Sequence, residues 1–227
     1  MLSKDECERA ARFRFDSDRR RFTYCRALLR TLLASYLAVP PAELRFQYSH
    51  YGKPSLAGDF AGSNIRFNVS HSGTTAIFAF TRDRAIGVDL EQITSDIEVE
   101  TLADRFFSSA ERRSLAQIPP EYKNEAFFHC WVRKEAFVKA KGEGLSLRLD
   151  EFDVSLALGQ PARLLGTRPD PKERERWWLS ALEVGPQYAG ALAVEGPALQ
   201  IKSYPVGGSA LPTVDSHRTS EANRKER

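Results

Sequence analysis

Two short segments carry the side chains best suited to chemistry, Gly87-Val88-Asp89-Leu90-Glu91 and Trp131-Val132-Arg133-Lys134-Glu135-Ala136-Phe137-Val138-Lys139-Ala140. Alternate residues of a strand share a face, and residues four apart on a helix stack on one side. Asp89 and Glu91 therefore share one strand face, and Glu135 and Lys139 one helix face. Hard cations such as Mg²⁺ take oxygen ligands, commonly one or two carboxylates together with water and the phosphate oxygens of a substrate. Asp89, Glu91 and Glu135 fit that ligand set, with Mn²⁺ as an alternative ion. Lys139, one turn beyond Glu135, can neutralise charge that develops on a transferring phosphoryl group or its leaving oxygen. Taken singly, Asp-x-Glu is equally a solvated strand face, and Glu-x-x-x-Lys is equally a helix-stabilising pair. Apolar residues at 86, 88 and 90 alternate with the acids as in a half-buried strand, which predicts that the acids face a cleft or solvent.

A third segment lies upstream: Tyr51-Gly52-Lys53-Pro54, then Ile65-Arg66-Phe67-Asn68-Val69-Ser70-His71-Ser72-Gly73. Its Asn, Ser and His side chains and a glycine-loosened turn can give several hydrogen bonds to an anion. His71 is equally a satisfied loop histidine. None of the four histidines stands at zinc-ligand spacing to another.

The elements that must position these residues follow from periodicity. Phe22, Cys25, Leu28, Leu29, Leu32, Leu33 and Tyr36 form an apolar stripe that predicts a helix over 16–37, stopped by Pro40-Pro41. Strands are expected near 45–48, 66–70, 75–81 and 85–91, then a helix over 97–106. Ser108-x-x-Glu111 reads as a capping box opening another short helix. The strongest downstream helix covers 121–141 and ends at Gly142. Its Phe127, Phe128, Trp131, Ala136 and Val138 are core residues by burial preference, and His129 and Cys130 are structural. Strands are expected again over 152–158, 177–183, 188–194 and 199–203. Helix, strands, helices, strands is an α+β order. Residues 207–227 are too poor in apolar side chains to fold and are expected to form a disordered tail.

Composition narrows the classes. A chain of 227 residues has room for one large or two small domains with a real core. No apolar run approaches the roughly 20 residues of a membrane span, and the N-terminus lacks a signal-peptide pattern, so no membrane partner and a cytoplasmic location are expected. Cys7, Cys25 and Cys130 are odd in number and scattered, which favours neither a disulfide framework nor a metal knuckle. The formal charge is only +3, yet Arg9, Arg12, Arg14, Arg19, Arg20, Arg21, Arg26 and Arg30 crowd the start of the chain. Most are expected on a solvated helix face. No nucleic-acid-binding signature accompanies them, so no nucleic-acid partner is expected, and a polyphosphate cofactor or an acidic partner explains them better.

The ordered set Gly52-Lys53-Pro54, Phe67-Asn68-Val69-Ser70-His71-Ser72, Gly87-Val88-Asp89-Leu90-Glu91, Arg105-Phe106-Phe107-Ser108 and Trp131-x-x-Lys134-Glu135-Ala136-Phe137-x-Lys139-Ala140-x-Gly142-x-Gly144-Leu145 resembles the Sfp-type 4′-phosphopantetheinyl transferases. Arg9-Ala10-Ala11-Arg12-Phe13 is similar to that family's first basic motif, and the likeness covers roughly residues 2 to 195. Five motifs in order are specific where one would be weak.

The resemblance implies an enzyme, a holo-[acyl-carrier-protein] synthase, that moves the phosphopantetheine arm of coenzyme A to a serine of an apo acyl or peptidyl carrier protein and releases adenosine 3′,5′-bisphosphate. It implies Mg²⁺ on Asp89, Glu91 and Glu135, with Glu135 as general base, acting directly or through a water, and Lys139 stabilising or protonating the leaving phosphate. Arg9, Lys53, Ser70 and His71 are implied contacts of the nucleotide end of coenzyme A, with Asn68 in the same turn and with Asp89 and Lys139 toward the pyrophosphate. It further implies two similar halves, 1–90 and 91–206, related by a pseudo-twofold axis with the site in the cleft between them, and a monomer. The family usually has a strand and loop ahead of its first basic motif, so either an upstream start or a missing strand is expected. Glu6 stands where some relatives have a basic residue, which predicts a weaker grip on the 3′-phosphate. Two other readings compete: a silent coenzyme A or carrier-protein binding module, which the retained carboxylates and Lys139 do not support, and a metal-dependent phosphoester hydrolase, which would need acids for a second metal.

Overall fold

Ser3 and Glu6 set the first helix, because the Glu6 carboxylate accepts the Ser3 backbone N–H at 2.9 Å and so satisfies one of the donors a helix start leaves open. The computed structural model describes residues 1–206 and separates into two units, Met1–Glu43 with the stretch from Leu199, and Leu44–Ala198. The first unit holds α1 (Lys4–Ala11) and α2 (Asp16–Leu37). The apolar stripe formed α2 with the expected bounds, and Ala38 closes it in a left-handed conformation before the prolines. Glu6 binds more than its own cap: it accepts from Arg30 Nε at 2.7 Å and lies 3.6 Å from Arg26. Arg30 also donates to the Pro41 carbonyl at 2.7 Å. Both Glu6 and Arg30 are 1% exposed. Arg26 and Arg30 are thus interior tethers and not part of a wet face, and Glu6 is the anion that makes their burial tolerable.

The second unit contains four small antiparallel arrangements. β1 (Phe46–Tyr48) pairs with β2 (Pro54–Leu56), and β3 (Ile65–Ser72) with β4 (Thr75–Arg82). β5 (Ile86–Gln92), β9 (Tyr188–Glu195) and β8 (Trp177–Ala181) form a three-stranded sheet in the order β5-β9-β8. Between β5 and the last strands come α3 (Val99–Phe106), α4 (Ser109–Ala116), α5 (Pro120–Lys141), the pair β6 (Phe152–Val154) and β7 (Leu164–Thr167), and the single turn α6 (Glu173–Arg176). The mixed helices and strands bear out the α+β expectation. The boundary proposed after residue 90 falls inside β5, and residues 207–227 lie outside the described residues.

The long helix α5 lies on the sheet, and one residue allows it. A Cβ on Gly87 would come within 2.1 Å of the Ala136 carbonyl oxygen and 2.3 Å of the Ala140 nitrogen, so strand and helix backbones touch there as only glycine permits. Around that contact the core gathers Phe127, Phe137, Phe152 and Trp177, with Phe137 edge-on to Phe152 at 4.9 Å and to Trp177 at 5.4 Å. On the opposite face of β5, Ile86 and Val88 pack with Leu192 and Val194. β5 is therefore covered on both sides. Of the two acids expected to face a cleft or solvent, Asp89 is shut off from solvent, 2% exposed beneath α5.

The outer edge of β5 is closed by side chains instead of by a strand backbone. Val88, Leu90 and Gln92 donate their N–H groups to Asn68 Oδ1 at 2.8 Å, Ser70 Oγ at 3.2 Å and Ser72 Oγ at 3.0 Å. Asn68, Ser70 and Ser72 are alternate residues on one face of β3, so strand pleating aims all three at the same row of donors. Buried backbone groups need partners, and this polar row supplies them.

Other expectations need adjustment. The strand expected over 152–158 is the three-residue β6, with a bulge at Asp153/Val154. The strand expected over 199–203 does not form, and Leu199 and Ile201 stand 38% exposed with no ladder partner. The Ser108 capping box forms with Glu111 at 2.9 and 3.2 Å, and Gly142 closes α5 at φ +73°.

Candidate active site

Asp89, Glu91, Glu135 and Lys139 are brought together by the laying of α5 on β5. Gly87, Asp89 and Glu91 alternate on the face of β5 that meets the helix, and Glu135 and Lys139 lie one turn apart on α5. Lys139 Nζ donates to Asp89 Oδ1 at 2.6 Å and to Ser70 Oγ at 3.1 Å. Ser70 Oγ in turn donates to Asp89 Oδ1 at 3.0 Å, and Ser72 Oγ to Glu91 Oε2 at 2.9 Å. The β3 serines thus serve twice, closing the β5 edge and orienting its carboxylates.

The electrostatics are those of anions short of counter-charge. Burial pushes the Asp89 carboxyl above the usual aspartate range, and Lys139 pulls the other way. Burial likewise raises Glu91, with Ser72 opposing and Asp89 adding to it. Glu135 is raised by burial first and by the Asp89 charge second. The mutual repulsion of close carboxylates is relieved by a cation.

Asp89 Oδ2 is buried without a hydrogen-bond partner, although a buried carboxylate oxygen ordinarily has one. An orphaned anionic oxygen, with Glu91 and Glu135 near enough to feel the Asp89 charge, suits a divalent cation of the Mg²⁺ kind. As the side chains stand, no group of three His, Cys, Asp or Glu among the described residues is drawn into a metal-binding cluster. Lys139 holds the other oxygen of Asp89.

The remaining expected site residues are placed as follows. His71 is exposed on β3. Asn68 is 6% exposed, its carbonyl oxygen committed to Val88 N–H. Lys53 Nζ donates to three backbone carbonyls, of Ile86 at 2.9 Å, Lys139 at 2.6 Å and Ala140 at 3.0 Å. Burial draws its ammonium down to about 8, while the carbonyl oxygens favour the charged form. Arg9 belongs to the first unit, where its guanidinium lies 5.4 Å from the centre of the Phe22 ring. Ser72 and Gly87 were not singled out from the sequence. The period of two that links Ser72 to Ser70 and Asn68, and a glycine in an otherwise apolar strand, were the available signals.

Comparison with known proteins agrees with the motifs. The model of the 4′-phosphopantetheinyl transferase superfamily matches residues 85–193, and a 4′-phosphopantetheinyl transferase N-terminal model matches residues 1–82. The chain is 41% identical over 201 residues to the 4′-phosphopantetheinyl transferase HetI of Nostoc sp., covering 88% of this chain and 81% of that protein. It is 33% identical over 197 residues to the 4′-phosphopantetheinyl transferase Sfp of Bacillus subtilis, covering 87% and 84%. With the human L-aminoadipate-semialdehyde dehydrogenase-phosphopantetheinyl transferase it shares 29% identity over 209 residues, covering 86% and 68%. On these matches, which run through β3, β5 and α5, the chain belongs to the 4′-phosphopantetheinyl transferase superfamily and to its Sfp type.

Proposed function

We propose that this chain transfers the 4′-phosphopantetheine arm of coenzyme A to a serine hydroxyl of an apo acyl or peptidyl carrier protein and releases adenosine 3′,5′-bisphosphate. The observation that carries the reading is the joining of Lys139 to the buried Asp89, with Glu91 and Glu135 close enough for the Asp89 charge to raise both. Phosphoryl transfer asks mainly for positioning and charge stabilisation, which such a group provides.

In this reading Asp89, Glu91 and Glu135 hold the divalent cation, whose charge offsets that of the pyrophosphate when bound. The Lys139 ammonium moves from Asp89 toward the phosphate oxygens and stabilises the leaving group. Glu135, whose carboxyl is held above the ordinary glutamate range by burial, accepts the proton of the carrier serine, a weak nucleophile without a base. His71 is exposed and is the proposed contact for the anionic nucleotide end. Arg9 has the same proposed role by family resemblance, and a pseudo-twofold relation between halves 1–90 and 91–206 is proposed on the same ground. A cytoplasmic, monomeric protein is part of the proposal; among the described residues no helix is long and apolar enough to cross a membrane.

The test is to incubate the protein with coenzyme A, Mg²⁺ and an apo carrier protein and to weigh the carrier intact. Gain of one phosphopantetheine arm, absent when EDTA is included, supports the reaction and its cation. No gain on any acyl or peptidyl carrier, with coenzyme A bound, would leave a binding module.

A further inference from the structure

The Lys53 ammonium sits where the C-terminal turn of α5 meets the first residue of β5, and its three donors are fully used there. The acceptors are Lys139 O at 2.6 Å and Ala140 O at 3.0 Å on the helix, and Ile86 O at 2.9 Å on the strand. The last carbonyls of a helix have no partners within it, and the negative end of its dipole favours a cation. One of the carbonyls held belongs to Lys139 itself, the residue whose side chain reaches Asp89.

The approach of Lys53 is itself constrained. Gly52 turns the chain at φ +81°, Ser49 Oγ accepts the Lys53 N–H at 3.1 Å, and Ser49 N–H donates back to Lys53 O at 2.9 Å. Pro54 follows, which restricts Lys53 to extended backbone. The aliphatic stem then passes the helix cap, with Lys53 Cδ 3.5 Å from where a Cβ on Gly142 would lie. A short turn, a proline and a glycine cap therefore aim one ammonium at one point.

We propose that Lys53 is a positioning residue, clamping the end of α5 to the start of β5 so that Lys139 is presented to Asp89 and to the phosphate it serves. The inference rests on the proposed transfer reaction for its kinetic consequence and departs from the expectation that Lys53 grips coenzyme A. A group whose donors are all committed to backbone carbonyls has none left for a phosphate. Small displacements of a catalytic group are costly to rate, so loosening this clamp acts on turnover more than on binding.

The variants are Lys53→Met, which removes the charge and keeps the stem, and Lys53→Arg, which keeps charge and fold but replaces a point donor with a planar fork that does not match three convergent carbonyls. Each is assayed for transfer to an apo carrier and for Lys139 labelling by reductive methylation, read by peptide mass without coenzyme A. For Lys53→Met, kcat should fall by about 10- to 100-fold, with the coenzyme A KM unchanged. Lys53→Arg should lie between it and wild type. Lys139 should be labelled several-fold faster in both variants, as its ammonium is freed from Asp89.

Unchanged kcat with a raised KM would make Lys53 a ligand contact, and a lower melting temperature with both constants and the labelling rate unchanged would make it merely structural. Either result overturns the proposal. If Lys53→Met does not fold, Lys53→Arg decides. If the wild-type protein transfers nothing to any carrier, the functional reading fails, and the labelling rates still decide whether Lys53 holds Lys139.

Discussion

Lys134 and Lys139 stand little more than one turn apart on α5, and each meets a buried carboxylate, Glu111 at 2.7 Å in one case and Asp89 at 2.6 Å in the other. Around Lys134 every polar atom is answered. Its ammonium donates to both Glu111 oxygens and to the Phe152 carbonyl, each at 2.7 Å. Glu111 also accepts Ser108 N–H at 2.9 Å and Val154 N–H at 2.8 Å. This pair is closed, 0% and 2% exposed, and it joins α4, α5 and β6. Around Lys139 the account is open: its side chain is 31% exposed, Asp89 Oδ2 lacks a partner, and two further carboxylates stand near. A satisfied buried pair holds structure, whereas an unsatisfied one keeps capacity for a ligand.

The comparison is broken most severely at the open pair. Asp89→Ala and Glu135→Ala should each lower transfer on the order of 10³-fold while leaving the circular dichroism spectrum unchanged; full activity in either removes the site assignment. The closed pair should respond in stability. Lys134→Met leaves Glu111 buried without its counter-charge and should cost about 3–5 kcal/mol, measured by urea unfolding. Replacing Glu111 with Leu in that background should recover only part, because Ser108 and Val154 N–H also lose their acceptor. Lys139→Met should show the reverse pattern, a smaller loss of stability and a large loss of turnover. A similar stability loss in the two single variants would erase the distinction.

Two weaker perturbations sharpen it. Gly87→Ala forces a Cβ into the α5 backbone and should cost about 1–3 kcal/mol. It should also slow transfer, because the strand and helix that carry the open pair must part. Activity falling no more than the folded fraction would separate that backbone contact from catalysis. Mg²⁺ without coenzyme A should raise stability by about 1.4 kcal/mol at ten times its Kd, seen as a higher melting temperature. The rise should vanish in Asp89→Asn and persist in Lys134→Met. Equal response in both would place the ion elsewhere.

Much of the frame was legible because its signals are local. The stripe from Phe22 to Tyr36 with Pro40-Pro41 beyond it defines α2, and Gly142 defines the end of α5. Ser108-x-x-Glu111 marks α4. The same signature at Ser3-x-x-Glu6 marks α1, which periodicity did not reveal because so short a helix has little stripe to read. β2 and β7 span only three and four residues, too few for alternation to register. Residues 199–203 alternate without forming a strand, since a ladder needs a neighbour and sequence pattern cannot supply one.

The candidate site divides in the same way. Residue type and spacing by themselves determined that Asp89 and Glu91 share a strand face, that Glu135 and Lys139 share a helix face, and that together they suit a hard cation and a phosphate. The resemblance added Asn68 and Lys53 as expected contacts of coenzyme A. Only the tertiary structure showed which hydrogen bonds these groups make. It committed Asn68 to the β5 edge and Lys53 to the end of α5, satisfied Glu111 from every side, and left Asp89 one oxygen short. Spacing fixes which atoms can meet within one element. Whether a buried charge is satisfied depends on partners from distant segments, and those are known only once the chain has packed.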